Sequence, residues 1–279
     1  AKTSTARLPC QTEGDSAMFL SGISIYPVKS LSGCELSRVE IDRFGPAGDR
    51  RWLVTNPAGH FLTQREYPGM ALVEALPGQE SLTLRAGEDA ISVPVPGDGA
   101  RERLVRVWED SVRARDAGDE VASWLSQRLG QPCRLFYMPD DSVRLVDGLY
   151  AQSGESVSFA DGFPILLIAR ASLDDLNSRL PSPVPMNRFR PNLVIDGCDA
   201  FAEDSWKRIR IGAMTFEVAK PCSRCVMPSI VQETAERDPY INRVLAGYRR
   251  VEGTIYFGQN LLYQQCGELQ IGDPVDVLE

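Results

Sequence analysis

The residues whose types and spacing could do chemistry stand together near position 220 of this chain. Two cysteines, Cys222 and Cys225, are three positions apart, with the cations Lys220 and Arg224 beside them. Nearby cations favour the thiolate, the form of cysteine that exchanges disulfides and binds soft metals. The segment therefore points to a dithiol, a metal ligand or a pair of small buried side chains.

The possible interpretations of this cysteine pair differ in what else they need. Structural zinc needs four ligands, but the chain offers no second close cysteine pair and a single histidine, His60. A thioredoxin-like dithiol belongs at the start of a helix, whereas Pro228 interrupts the segment after Cys225. Burial as two small side chains is the usual fate of free cysteine but fits poorly with cationic neighbours. A single thiolate bound to a redox-active metal is also possible, so three interpretations besides zinc stay open.

Short alternating segments predict a β-rich chain of the α+β class with a few helices. Apolar residues at helical spacing predict one helix over 117–129 and another that begins at a Ser172 cap. We predict strands over 20–25, 35–41, 51–55, 61–64, 81–85, 91–95, 104–108, 133–137, 163–169, 193–195, 208–211, 215–218 and 268–277. Pro221 should end the strand at 215–218 and project the cysteines from a sheet edge. A closed or nearly closed sheet is the natural architecture.

Composition and charge exclude several classes of function. A net charge of −8 argues against nucleic-acid binding, because no dispersed basic surface is available to attract phosphates. No apolar run approaches the ~20 residues of a membrane-spanning helix, so we expect no membrane association. Seven cysteines with one close pair do not resemble a disulfide framework, so we expect a cytoplasmic protein.

The polar stretch 139–157 is the best domain boundary in the chain. It predicts one domain over residues 18–155 and a second over 156–279. Residues 1–17 are polar and lack the apolar core of a secretory signal. We interpret them as a disordered extension or a remnant of cloning.

Six short motifs occur in an order that resembles the MOSC-domain family. They are Tyr26-Pro-Val-Lys-Ser30, Gly48-Asp-Arg-Arg-Trp52, Phe189-Arg-Pro-Asn192, Lys220-Pro-Cys-Ser-Arg-Cys225, Phe257-Gly-Gln-Asn260 and Ile271-Gly-Asp-Pro274. Within the family, the chain is most similar to bacterial YcbX-type reductases and the mitochondrial amidoxime-reducing component. The resemblance implies an N-terminal MOSC β-barrel-like domain packed on a MOSC β-barrel domain. It also implies molybdenum-cofactor binding, reduction of N-hydroxylated compounds and, as a generic family association, pyridoxal phosphate binding.

The same resemblance assigns roles to the residues of the motifs. Cys225 corresponds to the molybdenum ligand and catalytic residue, with Ser223 and Arg224 beside the pterin, and Cys222 is expected to be structural or to support the ligand from behind. The residues that match the holders of the cofactor's terminal phosphate are Lys29, Ser30 and Arg50, since a hydroxyl and two cations can bind phosphate oxygens. The residues that match pterin-side positions are Arg190 and Asn192, with Asn260 and Asp161 as further cofactor-side positions.

Taken singly, several of these residues have plainer explanations. Lys29 and Arg50 could be surface charges, Asn192 could stabilise a turn, and Asp161 precedes a glycine as turn residues do. Asp161 or a protonated water on the metal could deliver protons.

The chain also departs from the family pattern at two places. Val226-Met-Pro-Ser229 replaces a pair of threonines, and no ferredoxin-like domain precedes the end at Glu279. We therefore expect an external electron-donor protein, ferredoxin-like or flavin-reductase-like, and a small N-hydroxylated substrate. The alternative functions are a non-catalytic carrier of molybdenum cofactor or sulfur, and a dithiol oxidoreductase that uses both cysteines.

Overall fold

A computed structural model describes residues 17–150 and 155–279 and shows a β-rich α+β fold, as the sequence predicts. Strands supply most of the regular structure in these two ranges, and three α-helices pack against them. No helix in the described residues is both long enough and apolar enough to cross a membrane. The expected extension over residues 1–17 falls almost wholly outside the described residues.

The strands and helices have the following bounds in chain order. The strands are β1 (Phe19–Ile25), β2 (Cys34–Leu36), β3 (Arg38–Asp42), β4 (Gly45–Pro46), β5 (Trp52–Thr55), β6 (Glu74–Pro77), β7 (Ser81–Ala86), β8 (Asp89–Pro94), β9 (Glu102–Val107), β10 (Asp110–Asp116), β11 (Arg134–Tyr137), β12 (Ile165–Ala169), β13 (Leu193–Asp196), β14 (Arg208–Ile211), β15 (Met214–Ser223), β16 (Arg250–Val251), β17 (Thr254–Tyr263), β18 (Gly267–Gln270) and β19 (Val275–Val277). The α-helices are α1 (Asp119–Leu129), α2 (Arg170–Ser178) and α3 (Tyr240–Tyr248). Short 3-10 turns cover Pro68–Leu72, Met186–Arg188, Ala202–Asp204 and Met227–Ser229.

The largest sheet of the described chain joins strands from its two ends. Its order is β19-β14-β15-β17-β12-β13-β1-β2, with β16 paired to β17. β12 and β13 are parallel, and the other neighbours are antiparallel. Because β1 pairs with β13, the loop that follows β1 comes to lie beside the segments that enter β12 and β13. The domain boundary near residue 155 stays a prediction.

Three smaller sheets complete the fold, in the orders β5-β11-β10-β9, β6-β7-β8 and β18-β3-β4. The side chains of the large sheet form one buried core, which includes Leu20, Ile165, Phe216 and Leu261. A second core beneath β5–β8 includes Val54, Leu84 and Leu125, the last of these from α1. The burial of apolar side chains on alternate strand positions explains why the strand predictions succeed in these regions.

The predicted start of one helix and one predicted strand are wrong. Helix α2 begins at Arg170, so Ser172 lies inside the helix rather than at its cap. The Ser172 hydroxyl instead donates to the buried carboxylate of Glu203 at 2.8 Å and accepts the main-chain N–H of Phe201 at 2.7 Å. The predicted strand over 61–64 is a loop with one isolated bridge at Phe61.

Strand β15 also extends further than the sequence predicts, because it continues through Pro221 to Ser223. Its pairing with β14 ends at Glu217, so the rest of the strand pairs on one side only, with β17. Proline is tolerated there because its missing N–H lies on an edge. Register shifts between Val218 and Lys220 and between Pro221 and Ser223 accommodate the change.

The C-terminal part of the chain contains further differences. The predicted strand over 268–277 is two strands, β18 and β19, since Gly272 adopts a left-handed φ of +93° between them. Helix α3 was not predicted, although Ile241, Val244, Leu245 and Tyr248 have helical spacing that would have identified it. Strand β17 was also missed, because Gly258 with φ +80° interrupts its pattern.

Candidate functional site

The ten residues that the sequence predicts for the site all line one cavity. They are Lys29, Ser30, Arg50, Asp161, Arg190, Asn192, Ser223, Arg224, Cys225 and Asn260. The open cavity has a volume of about 810 Å³, which includes solvent at its mouth. It lies where the loop after β1, the segments before β12 and β13, and the ends of β15 and β17 meet.

Lys29 and Asp161 form an ion pair on one wall of this cavity. The Lys29 Nζ donates to the Asp161 Oδ1 at 2.6 Å and to the carbonyl oxygen of Phe159 at 2.7 Å. Burial lowers the pKa of Lys29 to about 8, although Asp161 favours its charged form. The pKa of Asp161 is raised by loss of water but lowered further by Lys29 and Arg65, and it lies below its usual range. Asp161 is therefore a carboxylate at neutral pH.

Arg50 is held by a buried carboxylate and by the ring of Tyr26. Its Nη1 donates to both oxygens of Asp49, at 2.8 and 2.7 Å, and Asp49 is 1% exposed. The Arg50 Cζ lies 4.3 Å from the centre of the Tyr26 ring. Because Asp49 supplies a full countercharge, the charge of Arg50 is largely matched by the protein itself.

Asn192 joins three segments of the cavity wall. Its Oδ1 accepts from the main-chain N–H of Leu166 at 3.1 Å and from Arg50 at 3.2 Å. Its Nδ2 donates to the carbonyl oxygen of Ser24 at 3.2 Å, and the residue is 2% exposed. Asn192 therefore stabilises long-range structure between β1 and β12 rather than only a local turn.

Three of the predicted residues have left-handed backbones that are unusual for residues with side chains. The φ angles are +67° at Ser30, +47° at Arg50 and +57° at Arg190. Such conformations cost free energy and persist where the surrounding structure requires them, often at binding sites. The sequence contains no signal for this strain, because none of the three is glycine or asparagine.

The segment that carries the two cysteines comes late in the sequence, and its two thiols make different contacts. Cys225 is exposed, and its Sγ accepts from the main-chain N–H of Met227 at 3.4 Å. Asn242 of α3 donates to the Cys225 carbonyl oxygen at 3.2 Å and so helps to fix this turn. Cys222 is less exposed, and its Sγ accepts from Arg224 Nη1 at 3.1 Å. The two thiols therefore have different environments.

Sequence reasoning missed two cations that also line the cavity. Arg188 is 3% exposed and donates through Nε to the carbonyl oxygen of Pro228 at 2.8 Å. Arg65 has its Cζ 4.4 Å from the centre of the Trp108 ring and its Nη2 3.9 Å from Asp161. Arg188 stands two positions before Arg190, so a search for neighbouring cations could have found it; nothing in the sequence marks Arg65.

The cavity thus concentrates positive charge in a chain whose net charge is −8. Among its lining residues, six are cationic and one, Asp161, is acidic: the cations are Lys29, Arg50, Arg65, Arg188, Arg190 and Arg224. Several of their N–H groups are buried without a hydrogen-bond partner among the described residues, at Arg65 Nε, Arg188 Nη2, Arg190 Nη2 and Arg224 Nε. Buried donors normally have partners, so this arrangement is suited to an anionic ligand with many acceptor atoms, beside an exposed thiol.

Comparison with known proteins identifies the family. Residues 17–132 match the MOSC N-terminal beta barrel domain, and residues 154–276 match the MOSC domain. The chain is similar to mitochondrial amidoxime-reducing component 1 of Mus musculus, at 33% identity over 276 residues, which covers 91% of this chain and 80% of the relative. The Homo sapiens protein of the same name is 33% identical, and the match covers 91% of this chain and 81% of that protein. Molybdenum cofactor sulfurase of Oryza sativa subsp. japonica is 32% identical and covers 91% of this chain but 33% of the relative. The chain belongs to the MOSC-domain family and carries both the N-terminal beta barrel domain and the MOSC domain.

Proposed function

We propose that this protein binds the molybdenum cofactor in its cationic cavity and reduces N-hydroxylated compounds such as amidoximes, hydroxylamines and N-hydroxylated bases. The observation that carries the proposal is an exposed thiol, Cys225, on the rim of a cavity with unpartnered cationic donors. The names of the mouse and human relatives, amidoxime-reducing components, support the reaction class. The rice relative's name supports the cofactor.

The residues of the cavity fit the chemistry of this cofactor, which combines a phosphate, a pterin and a metal. Ser30 and the cations Lys29 and Arg50 would hold the phosphate, because they offer a hydroxyl and charged donors on one wall. Arg190 and Arg224 retain unpartnered N–H groups that could meet acceptors along the pterin. Asn192 has its carboxamide engaged by the protein, so we assign it the positioning of Arg50 and β12. Ser223 and Asn260 complete the lining beside Cys225.

Cys225 would supply the single protein ligand to the metal. The main-chain N–H of Met227 donates to its sulfur and holds the side chain at the cavity. When bound, the cofactor supplies the two-electron chemistry that, with two protons, converts an N-hydroxyl group to N–H and releases water. The protein orients the cofactor through the cations and leaves the rim open to a small substrate.

The proton donor is a separate part of the proposal. An Asp161 carboxylate with a depressed pKa, paired to Lys29, is a poor proton donor at neutral pH. We therefore assign Asp161 the orientation of Lys29, and the expectation that it delivers protons stays a prediction. Substitution of Asp161 by Asn would test it through the pH dependence of turnover.

The remaining expectations about partners follow from the reaction. Each turnover consumes two electrons, so an electron-donor protein of the ferredoxin or flavin-reductase type is part of the proposal. The cytoplasmic location stays a prediction, and the two relatives named above are mitochondrial by name.

A second candidate function is a carrier of molybdenum cofactor or sulfur without turnover. It is favoured by the similarity to a protein named molybdenum cofactor sulfurase and by the exposure of the Cys225 thiol. A carrier should release its cargo to an acceptor protein, whereas a reductase should retain it through many turnovers.

The test is the molybdenum content of protein purified from a host that makes the cofactor. We expect near-stoichiometric metal in the wild type, almost none in Cys225→Ser, and little change in Cys222→Ser, the matched control. Reduction of benzamidoxime with a chemical electron donor should follow the same order. Equal loss from both cysteine variants would favour a dithiol, and folded wild-type protein without metal would reject the proposal.

A further inference from the structure

Tyr26 is a buried residue whose ring contacts two of the cavity's cations. The Cζ of Arg50 lies 4.3 Å from the centre of its ring, and that of Arg190 lies 4.1 Å from it. The residue is 3% exposed, and its hydroxyl donates to the carbonyl oxygen of Pro191 at 3.2 Å. An aromatic ring in a desolvated position attracts guanidinium groups and fixes their orientation.

The position of the ring is closely confined. A Cβ added to Gly33 would lie 2.4 Å from the Tyr26 ring, so the backbone there leaves no space for movement. The main-chain N–H of Tyr26 donates to Asp49 Oδ1 at 2.8 Å, which ties the ring to the carboxylate that pairs with Arg50. Tyr26 is therefore a rigid support for both guanidinium groups.

The two arginines on this support differ in their countercharge. Arg50 donates to both oxygens of Asp49. Within the described residues Arg190 forms no ion pair, and its one side-chain hydrogen bond is a 3.5 Å contact with the neutral Gln232. Arg190 is 7% exposed, and its Nη2 is buried without a partner. Burial lowers the pKa of Arg190 to about 10, which leaves it protonated at neutral pH.

We propose that Tyr26 is a positioning residue that presents Arg50 and Arg190 together to the anionic ligand of the proposed function. Asp49 already matches the charge of Arg50, so Arg50 would act on the phosphate mainly as a hydrogen-bond donor, and Arg190 would contribute more of the net attraction. Both arginines have left-handed backbone conformations, which cost free energy, and both place their side chains on this one ring. This inference rests on the proposed function and deepens it, because it names the residue that orients two of the cations assigned to the cofactor.

A direct test uses inorganic phosphate and pyrophosphate as probes, with full-length protein from a host that lacks molybdenum cofactor. Affinity is measured by titration calorimetry, and stability without probe is measured by denaturant unfolding. We expect Tyr26→Phe, which keeps the ring, to bind within about twofold of the wild type, and Tyr26→Leu to bind about tenfold more weakly. Arg210→Gln, at an exposed ion pair on β14, is the matched control and should bind normally.

Arg190 variants keep the test decisive if Tyr26→Leu does not fold. Arg190→Gln should lose phosphate affinity by about tenfold or more without losing stability, because a desolvated, unmatched charge is removed. A merely structural arginine would lose stability and leave affinity intact.

Wild-type affinity in Tyr26→Leu or Arg190→Gln, or no phosphate binding by the wild type, would overturn this inference. Phosphate binding that follows the expected order in a protein that never retains molybdenum would reject only the proposed function.

Discussion

The two walls of the cavity use their cations in different ways. On the N-terminal wall, Lys29 pairs with Asp161 at 2.6 Å and Arg50 pairs with Asp49 at 2.7 Å. On the C-terminal wall, formed by Arg188, Arg190 and Arg224, the described residues supply only one ion pair, between Arg188 and Asp238 at 3.7 Å without a hydrogen bond. The cations of the N-terminal wall thus have carboxylate partners within the protein. Those of the C-terminal wall mostly lack such partners and can pair with an anionic ligand.

The physical reason for this difference is the cost of desolvation. A buried cation with a carboxylate partner does not destabilise the ligand-free protein, but removing one of the two partners leaves an uncompensated buried charge. A buried cation without such a partner weakens the empty protein and gains most when an anion binds. The comparison therefore predicts opposite effects on stability for cations on the two walls.

Replacement of Arg50 should give the largest effect. In Arg50→Gln, the Asp49 carboxylate is left buried at 1% exposure, and we expect a loss of about 3 to 5 kcal/mol in the free energy of unfolding. The measurement is denaturant unfolding at pH 7.

The buried charge of Asp49 can be tested as the cause of this loss by changing the pH and by comparing a second variant. The loss should shrink as the pH falls, because Asp49 can then take up a proton in the folded state, where burial already raises its pKa. Arg190→Gln should lose no stability under the same conditions, and a loss equal to that of Arg50→Gln would break the distinction between the walls.

Replacement of Gln64 should have an intermediate effect on stability, because this residue connects the two walls. Gln64 and Gln232 exchange hydrogen bonds through their carboxamides, at 3.2 and 3.1 Å. Gln64 is fully buried, and its Nε2 also donates to the Ser30 carbonyl oxygen at 2.9 Å. We expect Gln64→Ala to cost about 1 to 3 kcal/mol of unfolding free energy, since it leaves buried groups without partners.

The Gln64→Ala variant should also bind phosphate more weakly, because Ser30 and Gln232 each lose a hydrogen-bond partner, and Gln232 is the residue that contacts Arg190. Gln64→Glu is a second variant for comparison, because it keeps the shape of the side chain but removes the Nε2 donor. Unchanged stability in Gln64→Ala would show that the walls are held together elsewhere.

The smallest expected effect on phosphate affinity is a pH dependence that comes from Lys29. Its pKa in the folded protein is lowered to about 8, so phosphate affinity should fall severalfold as the pH rises through this value. The free energy of unfolding should rise between pH 8 and the usual pKa of 10.5, because the unfolded chain then binds more protons than the folded one. Lys29→Arg should remove both dependences, and a profile that is unchanged in that variant would exclude Lys29 as their origin.

Much of the site could be predicted from residue types and their order. All ten predicted residues line the cavity, because the motifs that carry them occupy loops and strand ends that the β-rich fold brings together. The roles of individual residues could not be predicted in the same way. Asn192 lines the cavity as predicted, but its hydrogen bonds to Leu166 and Ser24, which are distant in sequence, could not be predicted from residue type.

Errors in the predicted elements have related causes. Pro221 normally ends a strand, yet β15 continues through it because β14 no longer pairs there. Ser172 has a typical cap side chain, but a buried Glu203 from a later segment takes its hydroxyl. In both cases a contact with a distant segment outweighs a local preference.

The sequence by itself determined the MOSC-type motifs, the β-rich class and which side chains could meet a phosphate, a pterin or a metal, because these depend on residue type and order. Only the tertiary structure decided which cations are neutralised, that Arg65 and Arg188 join the cavity, and that Tyr26 supports two arginines. The physical reason is that charge compensation and desolvation depend on distances between segments such as 26, 49 and 190, which local patterns along the chain do not encode.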